Sequence, residues 1–272
     1  MTQTNENTAS AGRTVHNLII VDESGSMQSI YRSALTGMNE TLATIREAQE
    51  EHPEQRQLVT LATFDERNAN ASPYDPISRP QIGRHTHYRM AQALHYNEIY
   101  HNTPASETGE VTRKQYRPYG ATPLYDAMGR GIGELRPYVE KGDVVLVTII
   151  TDGMENASKE FSHEAIRELV DELKGQGWVF TYIGANQDVD RVGYSLNIEN
   201  VMDFEASPEG TAEMFEAERA CRKEFYSRVA VVAPDGVINE DAYFRSRPKT
   251  KKKSGGSEKK SGGSGNIGFI PF

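Results

Sequence analysis

Apolar residues fall along this chain in two kinds of pattern. Leu18-Ile19-Ile20-Val21, Leu58 to Phe64 and Val144 to Ile150 are near-continuous runs rich in β-branched side chains. Such runs suit parallel strands covered by helices on both faces. Trp178 to Ile183 follows the breaker Lys174-Gly175-Gln176-Gly177, and a shorter run, Val201 to Phe204, follows a turn. Between the runs, apolar positions recur every three or four residues. Ile30, Ala34, Met38, Leu42 and Ile45 share one helical face, as do Leu124, Met128, Ile132 and Leu135 after the helix-start residue Pro123. Phe161, Ala165, Ile166, Leu169 and Leu173 form a third face, with Ser162 as N-cap. A last helix is expected from about Pro208 to about Ala230. This alternation predicts an α/β fold: a doubly wound, mostly parallel sheet with helices on both faces.

Two stretches break the pattern. Residues 65–119 are polar and rich in Tyr and His, with weak alternation only around His95 to His101. They read as a long polar insertion of loops carrying one antiparallel edge strand within a domain spanning 14–244. Residues 1–13 read as a disordered N-terminus. Residues 245–272 form a basic Gly/Ser/Lys linker with an apolar tip, Asn266 to Phe272. Its Gly-Gly-Ser repeats resemble engineered linkers as much as natural ones.

Charge is divided unevenly between these parts. The 272-residue chain carries a formal −9, but Arg245 to the end holds eight basic residues and one acid. The tail is therefore +7 and the remainder −16. An acidic body repels phosphate backbones and argues against a nucleic-acid binder. The polar N-terminus lacks the apolar core of a signal peptide, and no apolar run is long enough to span a bilayer. The lone cysteine, Cys221, rules out an internal disulfide and suits a reducing compartment. A cytoplasmic protein is expected.

The chemistry concentrates at predicted strand ends. Asp22-Glu23-Ser24-Gly25-Ser26 follows the first strand, Thr122 lies at the start of a helix in Gly120-Ala121-Thr122-Pro123, and Thr151-Asp152-Gly153 ends the strongest strand. Open parallel sheets bind ligands beyond the carboxyl ends of their strands. Hydroxyl and carboxylate oxygens are hard donors, suited to Mg²⁺, Mn²⁺ or Ca²⁺ rather than to zinc. The plain alternative is an Asp/Ser-rich turn that caps the next helix.

Asp22-x-Ser24-x-Ser26, then Thr122, then Asp152 resembles the metal-ion-dependent adhesion site of von Willebrand factor A (vWA) domains, over roughly Thr14 to Ala230. The resemblance implies direct metal contacts from Ser24 and Ser26, a direct or water-bridged one from Thr122, and mainly water-bridged roles for Asp22 and Asp152. It also implies one coordination position left to an Asp or Glu of a partner protein. The long stretch between Phe64 and Gly120 departs from the compact family pattern. Thr122 to Ala127 and Tyr182 to Gln187 look more like intracellular prokaryotic or phage members. The expected function is Mg²⁺-dependent protein–protein binding as a scaffold or adaptor. One alternative is a metal-independent scaffold that docks through its tail. A second is a metal-dependent hydrolase, although no Walker-type loop, nucleophile elbow or His/Asp pairing accompanies the site.

Other residues carry weaker expectations. Asp126 reads as a first-turn carboxylate favouring the helix dipole rather than one that orients a metal-bound water. Glu23 and Glu155 read as solvated charges beside the site. His85 and His87 form a zinc half-site at most. Cys221 reads as a half-buried structural thiol, and Trp178 as core.

Overall fold

The computed structural model describes residues 12–68, 92–232 and 243–244. The expected disordered N-terminus up to residue 11, His85 and His87, and the basic tail lie outside the described residues.

Six strands form one sheet: β1 (Arg13–Asp22), β2 (Gln55–Asn68), β3 (Gln92–Pro104), β4 (Val144–Thr151), β5 (Trp178–Gly184) and β6 (Asn200–Asp203). Their order is β3-β2-β1-β4-β5-β6, with β3 antiparallel to β2 and every other pairing parallel. The helices are α1 (Tyr31–Glu51), α2 (Leu124–Leu135), α3 (His163–Lys174), α4 (Val189–Ser195) and α5 (Pro208–Val231). The expected doubly wound α/β architecture is the one observed.

Period-two alternation in the central strands sorts the core into two layers. On β1, Val15, Ile19 and Val21 pack with α1 and α5, while Leu18 and Ile20 face α2 and α3. On β4, Val144, Leu146 and Ile150 join the first layer and Val145, Val147 and Ile149 the second. Because both faces are covered, these strands read as unbroken apolar runs. Each fully buried aliphatic side chain contributes about 1.5–3 kcal/mol. The predicted faces of α1 and α2 are buried as expected, and Ser162 caps α3 by accepting from the Ala165 N–H at 3.2 Å. Trp178 is core.

In the polar stretch after Asp65, the expected antiparallel edge strand is present as β3, with 13 residues, and β2 continues to Asn68; residues 69–91 lie outside the described residues. Two features depart from expectation. The seven-residue α4 goes unpredicted because it is too short for a helical period to show. Cys221 is fully buried, not half-buried.

One polar cluster lies within the first layer. Arg222 of α5 is wholly buried and donates to Glu218 Oε1 (2.8 and 2.7 Å), Asn17 Oδ1 (3.2 Å) and Thr148 Oγ1 (2.8 Å). Asn17 and Thr148 occupy the inward positions of β1 and β4 where aliphatic residues would otherwise stand. The Tyr226 hydroxyl donates to Asn17 Oδ1 (2.6 Å), and the Tyr243 hydroxyl to Glu218 Oε1 (2.8 Å). A buried charge is tolerable only when paired and hydrogen-bonded in this way.

Candidate functional site

The strand order reverses between β1 and β4. Their chains leave the sheet in opposite directions, and this opens a crevice beyond their carboxyl ends. Asp22 is the last residue of β1, and Asp152 follows the last residue of β4.

The turn after β1 brings Ser24 and Ser26 back over the crevice, and their hydroxyls lie 3.1 Å apart. Ser24 occupies the N-cap of a short 3₁₀ helix, Gly25–Ile30, yet its side chain makes no capping bond. The capping alternative for this motif therefore does not describe Ser24. Ser26 Oγ donates to Asp152 Oδ1 at 2.5 Å. Ser26 is exposed, whereas Asp22, Ser24, Thr122 and Asp152 are buried, so Ser26 marks the mouth of the cluster.

Thr122 arrives on the segment before α2. Gly25 N–H donates to Gly120 O (3.0 Å) and Glu66 N–H to Ala121 O (3.0 Å), which stitches that segment to the β1 and β2 ends. Gly120 has φ +75°, and a Cβ there would lie 2.1 Å from Glu66 O. Only glycine fits both the conformation and the close approach. The Thr122 N–H donates to Asn156 Oδ1 (2.9 Å), fixing Thr122 against the loop after β4.

Gly153 measures how closely the three loops converge. A Cβ placed there would lie 3.0 Å from Thr122 Oγ1, 3.4 Å from Ser26 Oγ and 3.6 Å from Asp22 Oδ2. Oxygens from the β1 turn and from the segment before α2 thus crowd against the loop after β4. All five residues singled out in the sequence, Asp22, Ser24, Ser26, Thr122 and Asp152, meet here.

The two acids are buried without a countercharge. Desolvation pushes the Asp22 carboxyl up to about 7, opposed by hydrogen bonds from Thr151 and Ser24 and reinforced by the charge of Asp152. Burial likewise raises Asp152, against the hydrogen bond from Ser26. Among the described residues, no Lys, Arg or His forms an ion pair with either acid. Two carboxylates and three hydroxyls around one volume, with no basic side chain, fit a hard divalent cation. No group of three or more His, Cys, Asp or Glu side chains placed to hold a metal occurs among the described residues. Any cation here would depend on hydroxyl donors.

Residues that the sequence reading passed over hold this arrangement. Thr151 Oγ1 donates to Asp22 Oδ2 (2.6 Å), and the Gly153 N–H donates to the same hydroxyl (3.1 Å). Ser24 N–H donates to Asp22 Oδ1 (2.6 Å), so both carboxylate oxygens are engaged. Tyr116, fully buried, donates through its hydroxyl to Asp22 O (3.0 Å). Asn186 and Gln187 donate to the carbonyls of Asp152 and Gly153, both at 3.1 Å. Thr151 is visible in the Thr-Asp-Gly run, but nothing in the sequence pattern distinguishes Tyr116.

Three neighbouring acids prove to be fasteners. Glu23 is buried, contrary to expectation: Thr63 Oγ1 (2.5 Å), Arg67 Nη2 (3.1 Å) and the Arg117 N–H all donate to its carboxylate. Glu155 is half-buried and accepts from the N–H groups of Tyr125, Ala157 and Ser158. Asp126 stands in the first turn of α2 as expected. Its oxygens accept from the N–H groups of Lys159, Glu160 and Phe161, pinning the loop that leads to α3.

No family model and no curated protein matches the sequence. Among solved structures, the chain is similar to the pilus adhesin SpaC from Lactobacillus rhamnosus GG, with 13% identity and a TM-score of 0.54. The match covers 79% of this chain and 31% of the adhesin, so the chain spans less than a third of the adhesin's length. The fold is α/β, a doubly wound and mostly parallel sheet of the Rossmann-like kind. Weaker likenesses reach proximal thread matrix protein 1 from the mussel byssus (14% identity, 76% of this chain, 45% of that one, TM-score 0.45). They also reach the SpRpn10 VWA domain (10% identity, 84% of this chain, 99% of that one, TM-score 0.42). Those two TM-scores are too low to bear on the fold. Among the described residues, no helix is long and apolar enough to cross a membrane.

Proposed function

We propose that the protein is a protein-binding scaffold or adaptor whose contact with its partner depends on Mg²⁺ held at the β1/β4 crevice. The observation that carries this reading is the convergence of Thr122 Oγ1, Ser26 Oγ and Asp22 Oδ2 around the Gly153 position. Ser24, Ser26 and Thr122 would hold the ion through neutral oxygens. Asp22 and Asp152 would balance its charge from behind. A bound ion would supply a positive centre with a position open to a partner's Asp or Glu carboxylate. Mn²⁺ or Ca²⁺ would serve the same donors.

The pattern of engaged atoms favours binding over turnover. A general base needs an oxygen free to take a substrate's proton. Both oxygens of Asp22 are occupied by Thr151 and Ser24; Asp152 accepts from Ser26 through Oδ1, and among the described residues no basic side chain pairs with it to carry a proton onward. The similarity to a pilus adhesin agrees with a binding role, although it speaks to fold alone. With one wholly buried cysteine, the protein is read as cytoplasmic.

The test is capture of a partner from a bacterial lysate by wild type, Ser24→Ala and Thr122→Ala, each in Mg²⁺ and in chelator. Capture is expected only by wild type in Mg²⁺. Retention that ignores both the chelator and the substitutions would refute the reading.

A further inference from the structure

The segment Thr112 to Tyr119 carries Arg113, Lys114 and Arg117 and no acid, in a body whose formal charge is −16 without its basic tail. All three cations are exposed. Among the described residues, Arg113 and Lys114 enter no ion pair or hydrogen bond through their side chains. The segment is fastened to the crevice. Tyr119 N–H donates to Glu23 O (2.7 Å), Arg117 N–H to the Glu23 carboxylate, and the Tyr116 hydroxyl to Asp22 O (3.0 Å). A cationic strip therefore leads to the mouth marked by Ser26.

Two large exposed apolar side chains stand on the loops that form the same mouth. Tyr119 is 57% exposed and precedes Gly120, whose carbonyl accepts from Gly25. Met154 is 63% exposed and follows Gly153, the residue around which the candidate donors converge. An exposed aromatic and a flexible thioether on two loops beside a polar centre are suited to grip a partner's apolar side chain.

We infer that the partner presents this face with an acidic peptide segment that carries an aromatic or large aliphatic residue. One carboxylate would reach the crevice, its acidic neighbours would face Arg113 and Lys114, and the apolar residue would lie between Tyr119 and Met154. The inference builds on the metal-dependent reading and adds the chemistry of the segment around the coordinating carboxylate. The charge of the whole molecule points the other way, toward basic partners, but local potential dominates once surfaces approach within a screening length of about 8–10 Å. A nucleic-acid strand would meet one exposed aromatic and a strongly acidic surround, a poor stacking groove.

The experiment measures retention of a labelled random Glu/Tyr copolymer on immobilised full-length protein. Poly-Glu, a Lys/Tyr copolymer and oligo(dT) run in parallel, each in Mg²⁺ and in chelator. The proteins are wild type, Arg113→Glu with Lys114→Glu, Tyr119→Ala with Met154→Ala, and Ser24→Ala. In Mg²⁺, wild type is expected to hold the Glu/Tyr copolymer best. The charge-reversed protein should bind it about ten-fold more weakly and with less dependence on salt. The Tyr119/Met154 variant should no longer prefer it over poly-Glu. Failure of wild type to retain the copolymer, preference for the Lys/Tyr copolymer or oligo(dT), or indifference to the strip substitutions would overturn the inference. If that indifference coincides with loss of binding in chelator and in Ser24→Ala, the metal-dependent reading survives alone. Binding that needs Arg113 and Lys114 but ignores chelator would support the acidic segment and refute the role of the metal.

Discussion

The hydroxyl of Thr151 reaches across from the end of β4 to Oδ2 of Asp22, 2.6 Å away at the end of β1. This bond ties together the two strands that border the crevice, and it also sets the orientation of the carboxylate. Thr151→Val keeps the shape and removes the donor. We expect a folded protein destabilised by about 1–3 kcal/mol, the cost of leaving one buried acceptor unsatisfied. Mg²⁺ binding by calorimetry should weaken in Thr151→Val and recover in Thr151→Ser. Unchanged affinity in the valine variant would show that Asp22 needs no such support.

Stability should depend on pH through Asp22. Its carboxyl lies near 3.8 when solvated and about 7 when buried. Below both values the group is protonated in either state. As pH rises from about 4 to about 7, only the unfolded chain gives up its proton, so cation-free protein loses stability across this window and then levels off. Melting in chelator should therefore come at lower temperature near pH 8 than near pH 5. Added Mg²⁺ should raise the melting temperature more at the higher pH. Identical shifts at the two values would contradict the assignment of a cation to this carboxylate.

Arg222 offers a prediction about the core. Arg222→Met removes the cation and leaves Glu218 buried without its partner, at a cost of about 3–5 kcal/mol. Replacing Glu218 with Leu in the same chain should recover most of that loss. Denaturant unfolding of the single and double variants measures both steps. Equal stability of the two would show that the charge pair is not the source of the penalty.

Gly120→Ala should perturb the crevice through the backbone. The positive φ and the 2.1 Å approach to Glu66 O admit no Cβ without movement of the chain. We expect a loss of more than about 1 kcal/mol, together with weaker Mg²⁺ binding, because Thr122 lies two residues away. Mg²⁺ affinity equal to wild type would show that the segment can shift without displacing Thr122.

The sheet was legible in the sequence because its central strands are buried on both faces, and hydrophobicity alone marks them. Helices α1, α2 and α3 were legible through faces such as Ile30-Ala34-Met38, repeated over enough turns for a period to show, and α5 runs close to its expected bounds. Asp22, Ser24, Ser26, Thr122 and Asp152 were found because each lies at a strand end or helix start, where polar residues interrupt apolar runs. What stayed hidden depends on contacts between distant segments. Glu23 looks like any surface acid until Thr63, Arg67 and Arg117, 40 or more positions away, close around it. Tyr116 looks like one more loop aromatic until its hydroxyl meets Asp22 O. Arg222 and Glu218 sit among the many charges of α5, and residue type gives no sign that this one pair turns inward.

The Tyr243 side chain bears on how the protein can be handled. Helix α5 closes at Val231, and a designer of shortened versions would be tempted to stop the chain there. Twelve residues further on, however, Tyr243 is buried against Phe225, with ring centroids 5.6 Å apart, and its hydroxyl is one of the donors to Glu218. A version ending at the helix would open the Phe225 pocket to water and strip a hydrogen bond from a carboxylate that has no access to solvent. The smallest unit worth expressing, or fusing to a reporter, extends at least through Phe244.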